Sequence, residues 1–87
     1  MLNLETRQIQ ILSILLGQDY ISLEQLISLG HFSQNTILSE IHDINDVFKD
    51  SVFHCQIINH RGKGYTLQYD PSQEQMIQKL KKHCELY

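Results

Sequence analysis

Apolar residues recur along this chain in two periods, and the switch between them divides it. Up to Phe48 they follow the 3.6-residue spacing of a helix. From Cys55 to Tyr69 they alternate, as strands do. Beyond Pro71, helical spacing returns in Met76, Ile77, Leu80 and Cys84.

The first part resolves into three helices. Leu4 to Leu16 predicts the first, capped by Asn3, with Glu5, Ile9, Leu12 and Leu16 on one face and Ile11, Ile14 and Leu15 on others. A helix this apolar is covered on several sides and belongs at the centre of a domain; Gly17 ends it. Tyr20 and Ile21 are too few for an independent strand but suit a short edge strand. Ser22-Leu23-Glu24-Gln25 fits a capping box, with Ile21 and Leu26 as its hydrophobic staple. This opens a second helix whose apolar face is Leu23, Leu26, Ile27 and Leu29, with Gly30 as its stop. Ser33 is a good N-cap for the third helix, and Phe32 and Ile37 stand at staple positions. Two helices joined through the short turn Gly30-His31-Phe32 make a helix-turn-helix unit.

On the third helix Ile37, Ile41, Ile44 and Phe48 share the inner face, while Asn35, Ser39, His42 and Asp46 form a strip opposite. Solubility alone is usually met with Lys and Glu. Short side chains that both donate and accept hydrogen bonds are better suited to base edges.

Strands at Cys55–Asn59 and Tyr65–Tyr69 flank His60-Arg61-Gly62-Lys63-Gly64, with glycines where a hairpin needs positive φ. Helix, helix, helix, hairpin is the order of a winged helix-turn-helix. The expected fold is mainly α with a small β-hairpin, extended by a C-terminal helix that Asp70-Pro71 opens. Residues 1–70 are read as the DNA-binding domain. Residues 71–87 are read as a helix for packing, dimerisation or linkage to further domains.

Charge pulls the other way. At 87 residues the chain makes one domain with a thin core, and its net charge is −3. That is the wrong sign for approaching phosphates, and Lys49, Arg61 and Lys63 are offset locally by Glu40, Asp43, Asp46 and Asp50. Affinity for DNA must therefore come from a few placed contacts. An Arg and a Lys at the hairpin tip are the useful types for phosphate.

Other chemistries find little support. Cys55 and Cys84 lie in no CxxC arrangement and are expected to be reduced thiols. The pairs His54-Cys55 and His83-Cys84 match no zinc spacing, so no metal or cofactor is expected. No phosphate loop, nucleophile elbow or HExxH is present, and the chain is read as a non-enzyme. With no apolar run near 18 residues and no basic leader region, a cytoplasmic protein without membrane contact is expected.

From Arg7 to Leu67 the chain resembles the N-terminal winged helix of bacterial PTS-regulation-domain (PRD) transcription regulators. These are the mannitol- and licheninan-operon activator type, often labelled antiterminators, with related virulence regulators. Arg-Gln near the start, Ile-Leu-x-x-Leu-Leu, Ser-Leu-Glu-Gln-Leu, Phe-Ser-x-Asn-Thr-Ile-Leu and the wing signature Gly-Lys-Gly-Tyr-x-Leu carry the resemblance. Ile27, Gly30, Asn35 and Glu40 depart from the common pattern. The resemblance implies a regulator of a sugar-transport operon, with a further DNA-binding module and phosphorylatable domains beyond this chain.

The expectation is sequence-specific binding of double-stranded DNA. Gln34, Asn35, Ser39 and His42 would lie at or near base edges. Ser33 and Thr36, with the backbone N–H groups of the helix start, would hold a phosphate. Arg61 and Lys63 would grip the flanking backbone. The apolar seam of the last helix either covers the domain's own core or pairs two copies on paired half-sites. The alternative function is a winged helix used for protein–protein interaction without DNA.

Overall fold

A helix with apolar residues on several faces must be covered on several sides, and α1 (Thr6–Leu16) takes that central place. Ile9, Ile11, Leu12 and Leu15 are buried on it, and α2 (Leu23–Gly30), α3 (Gln34–Lys49), α4 (Glu74–Leu86) and β2 (Gly64–Tyr69) all pack against it. The computed structural model describes residues 4–86, Leu86 by its backbone alone. The order is three helices, the hairpin β1 (Cys55–His60) and β2, a 3₁₀ turn at Pro71–Gln73, and α4. This is the winged helix the residue pattern predicts, with the extra helix at its end.

Several element ends differ from expectation. α1 starts at Thr6 rather than Leu4, because Glu5 adopts an extended N-cap conformation and its N–H donates to Oε1 of the buried Gln8 (3.1 Å). The expected cap, Asn3, lies outside the described residues. Gly17 follows α1 in the right-handed region, its N–H reaching back to Ser13 and Ile14, so the helix stops without a left-handed residue.

α2 begins as its sequence dictates. The Ser22 hydroxyl accepts from the Gln25 N–H, and the Gln25 side chain accepts from the Ser22 N–H, both at 3.1 Å. Its end is a correction. Gly30 is still helical, and His31 takes the left-handed conformation (φ 59°). Close packing explains the glycine instead, since a Cβ on Gly30 would meet the Phe32 ring at 3.0 Å. Leu29, expected on the inner face, is 54% exposed because it lies off the centre of the face shared by Leu23, Leu26 and Ile27.

The hairpin runs one residue further on each side than the alternation predicts, so that His60 pairs with Gly64. Ile57 and Leu67 pair directly and are buried against the helices. The expected edge strand at Tyr20–Ile21 is a single bridge, in which Ile21 and Tyr65 exchange backbone hydrogen bonds of 3.0 and 2.7 Å.

Pro71 opens the 3₁₀ turn, capped by the Asp70 side chain, and the α-helix proper starts at Glu74. On α4 the seam of Ile77, Leu80 and Cys84 is buried in the common core, with Met76 half-buried beside it. Among the described residues no helix is long and apolar enough to cross a membrane.

Two glycines in the wing separate two kinds of constraint. Gly62 (φ +83°) has open space where a Cβ would stand, so Gly62→Ala should cost about 1 kcal/mol of left-handed strain. At Gly64 (φ +115°) a Cβ would stand 2.6 Å from the Ile21 carbonyl oxygen, and Gly64→Ala should cost about 3 kcal/mol or more. Denaturant unfolding of both variants measures the difference. Equal losses would show that the hairpin does not press against Ile21 in solution.

Candidate nucleic-acid interface

The N-terminus of α3 is built by two hydroxyls. The Ser33 hydroxyl accepts from the Thr36 N–H (3.2 Å) and donates to Thr36 Oγ1 (2.9 Å). Thr36 therefore acts as acceptor toward Ser33, leaving its own hydroxyl hydrogen to be donated elsewhere. Ser33, Gln34 and Asn35 are exposed and Thr36 is half-buried.

Ile37, Ile41, Ile44 and Phe48 are buried, which turns Asn35, Ser39, His42 and Asp46 outward, and all four are exposed. The strip is less neutral than its composition suggests. His42 Nδ1 lies 3.5 Å from an Asp46 carboxylate oxygen and 3.7 Å from one of Asp43. These three side chains bring potential ligand atoms within 4.8 Å of one another, but all are exposed on adjoining turns, a spacing that solvated groups commonly share. Cys55 and Cys84 are free thiols.

Two polar side chains on the buried side of α3 hold the interface in place, and neither stood out in the sequence. Glu40 was counted among the surface charges offsetting Lys49, Arg61 and Lys63, yet it is buried. Its Oε2 lies 3.1 Å from Arg7 Nε on α1, too far off the N–H axis to make a hydrogen bond. The pair ties α1 to α3, with Arg7 itself still exposed. Asn45 clamps the hairpin: its Nδ2 donates to the Ile57 carbonyl (3.0 Å), and its Oδ1 accepts from the Ile57 N–H (2.7 Å). The signal was present in both cases, since Glu40 and Asn45 border the arc of Ile37, Ile41, Ile44 and Phe48 on either side. A polar residue there must find a partner.

At the wing tip the Lys63 N–H donates to the His60 carbonyl (2.9 Å), with Gly62 at the position where a type II turn needs positive φ. Arg61 and Lys63 are both exposed, as expected. Lys63 is not free to roam, because its Nζ stands 5.1 Å from the centroid of the Tyr20 ring. Tyr20 also meets the His60 ring edge-on, with centroids 5.6 Å apart.

The groups whose protonation the fold perturbs lie away from the α3 strip. Burial pushes the Cys55 thiol up to about 11. Burial, then the Glu85 carboxylate, raises Cys84. Hydrogen bonds from Gln78 and then Tyr69 lower Glu74, and those of Ser72 lower Asp70.

Residues 5–59 match the family model of the helix-turn-helix domain of the M protein trans-acting positive regulator (MGA). The matched span takes in α1, α2, α3 and all of β1 but its last residue, more than half of the chain. No curated protein and no solved structure gave a match.

Replacing Asn45 with Ala leaves the half-buried N–H and C=O of Ile57 without partners, and should lower stability by about 2–3 kcal/mol. In hydrogen exchange the Ile57 amide should lose protection, whereas Tyr65, bonded to Ile21, should keep most of its own. Matched losses would mean that Asn45 does not act on the β1 edge alone. Cys55, with its raised pKa, should react with iodoacetamide at pH 8 roughly 100-fold more slowly than an exposed peptide thiol. Reaction at the peptide's rate would show that the base of the hairpin opens readily.

Proposed function

The chain belongs to the Mga-type helix-turn-helix family, a DNA-binding domain of transcription regulators, and on that premise we propose that it reads duplex DNA sequence-specifically through α3. One observation carries this reading: a capped helix turns Asn35, Ser39 and His42 outward while a hairpin fixed to the same helix exposes Arg61 and Lys63. In the proposed complex α3 enters the major groove, with Gln34, Asn35, Ser39 and His42 at or near base edges. Ser33, Thr36 and the N–H groups of the first turn of α3 hold a phosphate. The wing cations take the flanking backbone.

The finer assignment is a bacterial, cytoplasmic activator of a sugar-transport operon, coupled to the phosphotransferase system through PRDs. Its support is the resemblance of the Ser-Leu-Glu-Gln-Leu and Gly-Lys-Gly-Tyr-x-Leu segments, and the words "positive regulator" in the family's description favour activation. Residues 1–70 form the DNA-binding unit in this reading and 71–87 an accessory helix. Two copies pairing through α4 would use its outer side, since Ile77, Leu80 and Cys84 are already buried in the domain's own core. Asp43 and Asp46 around His42 favour the second reading, a protein-interaction module that binds a partner rather than DNA.

Titrations separate the two. Asn35→Ala and His42→Ala should each weaken specific binding by about 1–3 kcal/mol without moving thermal stability. Equal losses on specific and random duplexes would reduce both residues to positioning roles. Arg61→Ala/Lys63→Ala should make the slope of log K against log salt shallower by ~1.8, with sequence preference largely kept. An unchanged slope would remove the wing from the interface and favour the protein-interaction module.

A further inference from the structure

We infer that Tyr20 is a positioning residue for DNA: its ring holds the Lys63 ammonium at the side of the wing so that it meets a backbone phosphate already oriented. The inference rests on the proposed DNA-binding function and adds a residue that the α3 strip and the wing signature do not include.

Tyr20 stands on the connection between α1 and α2, one residue before Ile21. Because Ile21 exchanges two backbone hydrogen bonds with Tyr65, the backbone beside Tyr20 is fixed to the hairpin. The ring then touches both ends of the wing turn, His60 edge-on at 5.6 Å and Lys63 Nζ at 5.1 Å. His60 and Lys63 are themselves joined by the turn's hydrogen bond. The tyrosine is therefore seated against the tip from outside the hairpin.

The kind of holder matters in an acidic chain. Arg7, by contrast, stands beside the Glu40 carboxylate, which offsets its charge. An aromatic face restrains a cation without cancelling it, so Lys63 keeps its full charge and its three N–H donors for a phosphate. Among the described residues Lys63 makes no ion pair with a carboxylate, and the Tyr20 hydroxyl makes no hydrogen bond. Tyr20 is 38% exposed, so it is used for its ring rather than for core packing or its hydroxyl. An exposed cation–π contact favours the held conformation about two- to fivefold. Restraint of a long, rotamer-rich side chain before binding reduces what is lost on binding.

The test uses the full 87-residue chain and a random-sequence 20-base-pair duplex, because a phosphate contact needs no operator. Tyr20→Phe, Tyr20→Leu, Lys63→Met and Tyr20→Leu/Lys63→Met are titrated at several salt concentrations. NMR of the Lys63 side chain reports the ring contact without DNA. Wild type and Tyr20→Phe should show ring-shifted Lys63 methylene protons and equal affinity. Tyr20→Leu should lose the shift and bind about two- to fivefold more weakly. In the Lys63→Met background Tyr20→Leu should have no further effect. The inference is overturned if Tyr20→Leu binds like wild type while Lys63→Met does not, or if its loss persists undiminished in the Lys63→Met background. Should Lys63→Met itself change neither affinity nor salt slope, the wing contact of the proposed function has failed, and the inference falls with it.

Discussion

The placement of the wing depends on closing the two edges of a hairpin that could not stand alone. A two-stranded sheet is marginal in water, and both its edges present unpaired N–H and C=O groups. Here each edge is met by one residue of the helical body. On β1 the Asn45 side chain offers Ile57 one donor and one acceptor, as a neighbouring strand would. On β2 the backbone of Ile21 does the same for Tyr65. Ile57 and Leu67, paired across the hairpin, then tuck into the core between these two anchors. Gly64 is a consequence of the second anchor, since the Ile21 carbonyl comes so near that no Cβ fits.

What could be read from the sequence follows from how each element is specified. The capping box at Ser22–Gln25, the Ser33 cap and the Ile37–Ile41–Ile44–Phe48 face are local patterns, and they stand as expected. The hairpin is equally local, and only its last pair, His60 with Gly64, exceeded the alternation. Glu40 and Asn45 were missed because a polar residue at the border of an apolar arc gives no hint of its partner: Arg7 stands on another helix and Ile57 on a strand. Gly30 misled for a related reason. A glycine after a helix suggests a left-handed stop, but this one makes room for the Phe32 ring, and His31 takes the left-handed position. The outward strip was legible as an exposed face, whereas the carboxylates crowding His42 emerge only when side chains are placed around the helix.

The net charge of −3 says less about an interface than the distribution behind it. Arg7 and Glu40 both enter the sum but offset each other, and Glu40 is buried, so neither describes the outer face of α3. His42 lies beside Asp43 and Asp46, which makes that part of the helix a poor phosphate surface. Lys63 differs in having an aromatic neighbour instead of a carboxylate. Two exposed cations, Arg61 and Lys63, thus stand together at the wing tip, and the α3 strip is left with groups suited to hydrogen bonding.

That separation fits a binder with few cations. When phosphate contacts are scarce, the sequence-independent part of the affinity is small, so the share carried by base edges becomes larger. Such a design depends on geometry more than on charge: a few contacts help only if helix and wing meet the duplex together. Asn45 is the most direct side-chain link between them, for it joins the C-terminal half of α3 to β1 by two hydrogen bonds. The ion pair between the exposed Arg7 and the buried Glu40 steadies the same helix against α1. α4 covers α1 with its apolar seam and is anchored at the base of the hairpin through the Tyr69–Glu74 hydrogen bond, while His54 bonds to Gln73 just before the helix. The polar contacts that orient α3 and the wing are therefore internal to the helix-turn-helix and hairpin, and α4 contributes support to α1 and the base of the hairpin.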